Sequence, residues 1–592
     1  MTSYRTRRPP RPTTLKSFRP VSADPARKAP PNASGRVRRL RIAARLATRQ
    51  ATRGSLKPLE AVGDLVWPNL VNFVASGQVR LWLAALGVGV MAAMAATAFR
   101  LLIDMLQAPW LGTELAQVAA LGRDVPLWLR VAVPTGGGLV VGLLIHYGLS
   151  NRRAGSVPDV IESRALRRGQ LPLREGLVSA AASVLSLGAG ASAGREGPVV
   201  HLGATLAGTL ARGLDLGPGE RRMLVASGVA AAVSASFNAP VAGALFAHEI
   251  ILHHYALSAF VPVVFASVTG ALISRLWFGD FPAFVIPDYA ITSYWEFPAF
   301  ILLGLVCAVM AVIFQIVVAG ADWTARRMTV PVWSRPVIGG FLIGLVALAF
   351  PEVLGVGYGA TNQALQGVLG LDLLLWLLMA KTLATGITLA SRFGGGVFSP
   401  ALYLGAMTGG AFGLIAASVF PDLASGQGVY AIVGMGAVAG AVLGAPVSTT
   451  VMVLELTGGY AMTIAVLLAV SLAYGLSQAM LGRSYFQWVL ETRGIFTYRG
   501  PHEVVLRTIR VSDFQTADDL DPESFDPERA KVVLNPRDTL STALKRFDEA
   551  GRERLPVVDA RDPERLVAWA YQVKALAAFN RALVQVSIEE HR

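Results

Sequence analysis

The stretch GREGPVVHLGA, residues 194–204, sets Arg195 and Glu196 side by side in sequence that is otherwise apolar. GGGVFSPALYLGA, residues 394–406, lacks the charged pair but shares its frame, a glycine-rich turn followed by P-x-x-x-L-G-A, which begins at Pro198 in one and Pro400 in the other. Proline after such a turn predicts a helix start, because its missing N–H costs nothing at the first helical position and its φ is preset there. A helix start leaves free N–H groups and about half a positive charge, so two such ends aimed at one point bind an anion without a formal cation. Partial charges hold the anion loosely enough for release, whereas a full Lys or Arg would hold it too tightly. Glu196, expected in the loop just before the Pro198 helix, brings a competing carboxylate to the same site. Protonation would neutralise it and let it swing away. Arg195 is expected to point apart from Glu196 and to satisfy nearby backbone carbonyls.

A second pair of segments repeats. ASFNAPVAGALFAHE carries Ala239-Pro240-Val241 and reaches Glu249 nine residues after its proline, and AVLGAPVSTTVMVLE carries Ala445-Pro446-Val447 and reaches Glu455 at the same spacing. The two halves are offset by just over 200 residues. Repeated membrane halves with Gly/Pro-interrupted helices point to a transport site at the midplane between them. The recurrence of Glu249 as Glu455 favours a shared structural duty, such as tying down a helix end. HEIILHH at 248–254 looks like a zinc-protease motif, yet His248 and His253 are five residues apart and miss a common helical face, so no metal site is expected. Lys381, deep in an apolar run, is expected to pair with carbonyls or a carboxylate.

The elements that hold these motifs are built for lipid. The 592 residues are 53% hydrophobic and 16% charged. Runs such as Leu81–Ala98, Phe297–Ala319, Pro336–Phe350, Leu371–Leu389 and Ala461–Leu481 cover much or all of a bilayer, which takes roughly 17–25 helical residues. At least ten such stretches are expected, many short or broken by the sixty glycines. The single cysteine, Cys307, excludes a disulfide framework and a cysteine-based zinc site. The net charge of +14 belongs to the tail: Met1–Lys57 holds sixteen Lys/Arg against one acid, Asp24. That tail predicts a disordered leader and a basic amphipathic helix, an orientation or lipid signal that puts the N-terminus in the cytoplasm, with no nucleic acid as partner. Three domains are expected: the basic tail over 1–60, a membrane transport domain over 68–490, and a polar module over 495–592.

GREGP, GGVFSP, PEVLGVGY at 351–358 and KTLATGITLASRFGGG at 381–396 resemble the CLC chloride channel and transporter family over about residues 75–490. The order β-α-β-β-α read from KVVLNPRDTLSTALKRFDEAGRERLPVVDARDPERLVAWAYQVKALAAF is similar to a CBS module. The resemblance implies an all-α polytopic, inverted-repeat fold with a small α/β cytoplasmic domain, a homodimer with one anion pathway per subunit, and Glu196 as the external gate. It implies anion contacts around Gly194, Arg195 and Gly197, and from the backbone near Val397 and Phe398. CBS modules bind adenine nucleotides in other proteins, so a regulatory nucleotide is a secondary expectation beside dimer stabilisation; no other cofactor is expected.

Three positions depart from the family pattern. The family's chloride-coordinating serine falls on Gly155 in AGSVP, which leaves a backbone amide as donor and puts Ser156 within reach only if the loop shifts. The family's late tyrosine falls on Phe486, with Tyr485 the sole neighbouring hydroxyl. The internal proton-relay glutamate of exchangers falls on Ile250, beside Glu249 and His248, which favours passive conduction over proton-coupled antiport; His248 is expected to pack rather than relay protons. The function expected is chloride transport across a plasma or inner membrane, not enzymatic, with both termini cytoplasmic. A membrane-anchored CBS sensor is the distant alternative, disfavoured because an anchor has no need of paired anion-binding helix ends.

Overall fold

The computed structural model describes residues 58–75, 77–111, 125–166, 169–279, 284, 291–457, 460–495, 505–506, 509–516, 532–559, 562 and 565–591. The basic leader and amphipathic helix expected in residues 1–57 lie outside them. A helix runs Pro58–Ala75.

Eight helices among the described residues are long and apolar enough to cross a bilayer, and two apolar segments, Pro240–Leu252 and Gln427–Leu443, are shorter. The ten expected stretches thus divide into full spans and half-length pieces. The helices Phe297–Arg327, Arg335–Ala349, Leu371–Ala390 and Tyr460–Leu481 cover the expected apolar runs almost end to end. Their outward faces leave large apolar side chains uncovered: Met379 is 68% exposed, and on the span Leu257–Phe278 Leu276 is 84% exposed. Such surface suits hydrocarbon and not water.

The repeat is visible in the packing as well as in the sequence. The Glu196–Gly213 helix lies against Pro218–Phe237, and Phe398–Val419 lies against Gln427–Leu443. A Cβ on Gly203 would come 2.6 Å from the Gly228 carbonyl oxygen, and one on Gly405 would come 2.3 Å from that of Gly434. The glycine of each L-G-A motif is therefore the point where two backbones meet, a contact that only a bare Cα allows. One buried apolar cluster draws on both halves, with the Phe237 and Phe398 ring centroids 5.0 Å apart inside it.

The C-terminal residues have their own apolar cluster, including Val511, Leu534, Phe547, Val557 and Ala570. Helix Leu540–Ala550 starts at Thr539, whose hydroxyl accepts from the Thr542 amide, and ends at Gly551 with φ 58°. Strand Arg554–Val558 pairs antiparallel with Leu566–Tyr571, and the helix Gln572–His591 follows. The element order is the one read from the sequence, with the first strand reduced to a parallel bridge from Leu534 to Val557.

Candidate functional site

The two motif helices begin earlier than their prolines suggest. Glu196–Gly213 and Phe398–Val419 have Arg195 and Val397 as N-caps, so Pro198 and Pro400 occupy the third helical position. The first turn has orphan amides throughout, and proline is tolerated at its third residue for the same reason as at its first. Glu196 is accordingly not a loop residue; it opens the first turn.

These two starts are stapled together. The Gly194 amide donates to the Gly396 carbonyl at 2.7 Å, and the Gly396 amide returns a bond to Gly194 at 2.8 Å. Both backbone groups of Gly194, where an anion contact was expected, are thereby used in the staple. Its bare Cα leaves room for something else: the place a Cβ would take is 2.7 Å from Glu196 Oε2 and 2.9 Å from the Ser399 amide nitrogen. The Glu196 carboxylate thus lies at the N-terminus of the opposite half's helix, fully buried. Ser399 Oγ donates to Oε2 at 2.6 Å and the Tyr358 hydroxyl to Oε1 at 2.7 Å. Val397 and Phe398 supply the first-turn backbone beneath it.

Arg195 does not point away from Glu196: its Nε is 3.8 Å from Oε1. Its guanidinium lies 4.8 Å from the centroid of the Tyr358 ring and bonds the Ser236 carbonyl at 3.5 Å. The cation–π contact turns it toward the ring that also serves Glu196, while the carbonyl role expected of it is present as well.

Two spaces reach residues that adjoin this carboxylate. A cavity of about 490 Å³ is lined by residues that include Ser156, Gly396 and Tyr485. A pocket of about 30 Å³ is lined by residues that include Asp104, Gln107, Arg195, Glu352 and Tyr358. Ser156 needs no loop shift: a Cβ on Gly197 would meet its Oγ at 2.5 Å. The Ser156 amide is bonded by Asp159 Oδ2 at 2.9 Å, which fixes the residue at the start of the Val157–Leu166 helix. The Gly155 amide, expected to face the anion, donates instead to Ser179 Oγ at 2.6 Å. Tyr485 faces the cavity, whereas Phe486 is buried in a separate pocket with Glu249 and Ile250. At both departures the residue next to the aligned position carries a hydroxyl and lines the cavity. Asp159 lies outside the apolar spans. Burial would raise its carboxyl, but the hydrogen bond and charge of Arg153, with Arg493 beyond, bring it down to about 2, so it stays ionised.

Sequence reasoning gave no role to His201, and the structure explains Gly155 through it. A Cβ on Gly155 would lie 2.4 Å from His201 Nε2, so the imidazole occupies the volume of a side chain there. Gly155→Ala is expected to cost about 1–3 kcal/mol by overpacking. Adding His201→Ala should recover most of that loss, measured by thermal unfolding; equal destabilisation of the single and double variants would contradict the contact. Tyr358 and Ser399 were also without a role, although both lie inside quoted motifs; each is a hydroxyl beside a glycine or proline at a helix start, which is the signal that could have found them.

With this geometry in hand, comparison with known proteins is decisive. The family described as voltage gated chloride channel matches residues 137–478, more than half of the chain. The chain belongs to the CLC family. A ClcB-like protein of Ralstonia nicotianae is 32% identical over 418 residues, covering 70% of this chain and 97% of that one. The H+/Cl− exchange transporter ClcA of Vibrio vulnificus is 30% identical, covering 64% and 82%. The crystal structure of a slow cyanobacterial chloride/proton antiporter shares the fold with a TM-score of 0.62, at 23% identity over 70% of this chain and 98% of that one. The CLC chain is a multi-pass integral membrane protein of chloride transport and not an enzyme.

Around this site further charged side chains of the CLC chain hold backbone. Glu249 accepts from the Val447 and Ser448 amides at 3.0 and 2.8 Å, and Glu455 accepts from Val241 and Ala242 at 2.8 and 2.7 Å. Each half's glutamate caps the other half's helix, Pro446–Thr457 or Pro240–Phe246. Lys381 donates at 3.0 Å to both the Val353 and Gly355 carbonyls, under the turn that leads to Tyr358. His248 Nδ1 lies 2.9 Å from the His254 carbonyl, and its ring stacks on Tyr255. Ile250 is buried on a π-helical turn, Ala247–Leu252.

Proposed function

We propose that this CLC chain conducts chloride passively through a pore whose gate is the Glu196 carboxylate. The observation that carries the reading is the position of that carboxylate, fully buried at the N-terminus of the Phe398–Val419 helix, with two cavities reaching its neighbours Ser156, Arg195 and Tyr358. An ionised Glu196 occupies the ground that a halide would take, and protonation vacates it. Ser156 Oγ, the Gly197 amide and the Tyr485 hydroxyl then offer chloride its contacts from the larger cavity.

Passive conduction is favoured by what surrounds Ile250. Isoleucine carries no proton, Glu249 is committed to two amides, and His248 is packed against Tyr255 and the His254 carbonyl. Proton-coupled exchange is the second reading, favoured by the retained Glu196. The larger cavity opens to the cytoplasm on this proposal, because arginines crowd its mouth and the chain leaves it through Thr492, Arg493 and Ile495 toward the C-terminal module. The protein works as a homodimer in a plasma or inner membrane. The C-terminal module is CBS-like and stabilises that dimer, with an adenine nucleotide as its regulatory ligand in the alternative case. A sensor merely anchored by the membrane domain is disfavoured, since it has no use for two stapled helix starts around a buried acid.

The test is the reversal potential of purified protein in liposomes under a chloride gradient, with and without a superimposed pH gradient. A value at the chloride equilibrium potential in both conditions is expected. A shift with the pH gradient would make the protein an exchanger, and no chloride current would remove the reading altogether.

A further inference from the structure

The larger cavity carries an unbalanced cation. Arg153, Arg326, Arg392 and Arg493 line it against three acids, Asp159, Glu162 and Asp322. Arg153 bonds Asp159 through both terminal nitrogens at 3.0 and 2.6 Å, Arg493 bridges Asp159 and Glu162 at 3.0 and 3.2 Å, and Arg326 bonds Asp322 at 2.6 Å. All three acids are thereby engaged. The Arg392 side chain makes no hydrogen bond or ion pair among the described residues, and the acid whose field reaches it, Asp322, already belongs to Arg326.

The backbone at Arg392 is equally unusual. The Leu371–Ala390 helix ends with Phe393 N bonded to the Thr388 carbonyl and Arg392 N to that of Leu389, and Arg392 takes φ 70°. This is the left-handed position that closes a helix and that glycine fills most readily. Arginine there is strained, and among the described residues no hydrogen bond or ion pair of its side chain offsets the strain. Gly396, whose backbone staples the two helix starts, follows four residues later.

We propose that Arg392 is an anion-recruiting station in the vestibule, where a hydrated small inorganic anion such as chloride docks on the guanidinium before it loses water at Ser156. The proposal rests on the pore reading above and adds a binding step to it. A surplus unit charge in a confined, partly wet cavity concentrates anions at its mouth, more so at low salt.

The test compares the full-length parent with Arg392→Gly and Arg392→Lys in liposomes, reading chloride flux against chloride concentration on the cavity side at two ionic strengths. Glycine suits φ 70°, so Arg392→Gly is expected to fold with an unchanged or higher thermal midpoint. Its half-saturating chloride concentration is expected to rise roughly three- to fivefold at low ionic strength, as befits one unit charge a few ångströms away in a wet site, and less at high ionic strength. Arg392→Lys, which keeps the charge, should stay near the parent. A glycine variant with the parent's concentration dependence overturns the station, as does one that loses maximal flux with no shift in half-saturation. A parent that passes no chloride overturns the pore reading instead, so the two failures are distinct.

Discussion

Glu196→Gln protein in liposomes is expected to pass chloride at nearly the same rate at acid and neutral pH, while the parent accelerates on acidification. The carboxylate lies at the start of the Phe398–Val419 helix and receives the Ser399 and Tyr358 hydroxyls, an arrangement in which its negative charge replaces a permeant anion. A single titrating gate allows at most about a tenfold change in open fraction per pH unit, and the glutamine, nearly isosteric and uncharged, removes that response. Glutamine keeps an oxygen for the two hydroxyls, so the fold around it should stand. A variant with the parent's pH profile would show that another group gates.

The second large effect concerns architecture. Glu249→Ala and Glu455→Ala each strip two helix-start amides of their carboxylate acceptor, in a setting where neither amide has an intrahelical alternative. Each loss should cost about 2–4 kcal/mol, from the usual worth of a cap and of hydrogen bonds to a charged group. Because the two glutamates hold equivalent helices in the two halves, the costs should be similar, and the Gln variants should lose about half as much. Thermal unfolding in detergent measures this. A large loss in one and none in the other would break the equivalence of the repeats.

Much of this site is legible in the chain itself. The P-x-x-x-L-G-A repeat announces two related helix starts, and the equal spacing from Pro240 to Glu249 and from Pro446 to Glu455 announces a shared duty, because a recurring spacing between a helix start and an acid constrains geometry in both places. Their exchange between halves is not legible, since a linear pattern does not say which partner a carboxylate reaches. Pro198 and Pro400 mislead by two residues because proline is tolerated throughout a first helical turn, so it marks the turn and not its first residue. The arrangement around Ser156 and Tyr485 escapes the sequence for a different reason. Alignment on Pro158 puts Gly155 at the serine position, but no local pattern says that His201, from a helix elsewhere in the chain, fills the space over Gly155, nor which of Tyr485 and Phe486 lines the cavity. Arg392 reads as one more polar residue at a helix end until its φ is known.

The idea on which all of this rests is that two helix starts joined through Gly194 and Gly396 form one anion site, plugged by a carboxylate. Bromide-soaked crystals of the parent and of Glu196→Gln address it most directly through anomalous scattering. In the glutamine protein a halide peak is expected beside the Ser399 amide, where the parent holds its carboxylate, with a further peak near Ser156 in both. Maps with no halide at either helix start, in parent and variant alike, would contradict the anion site itself.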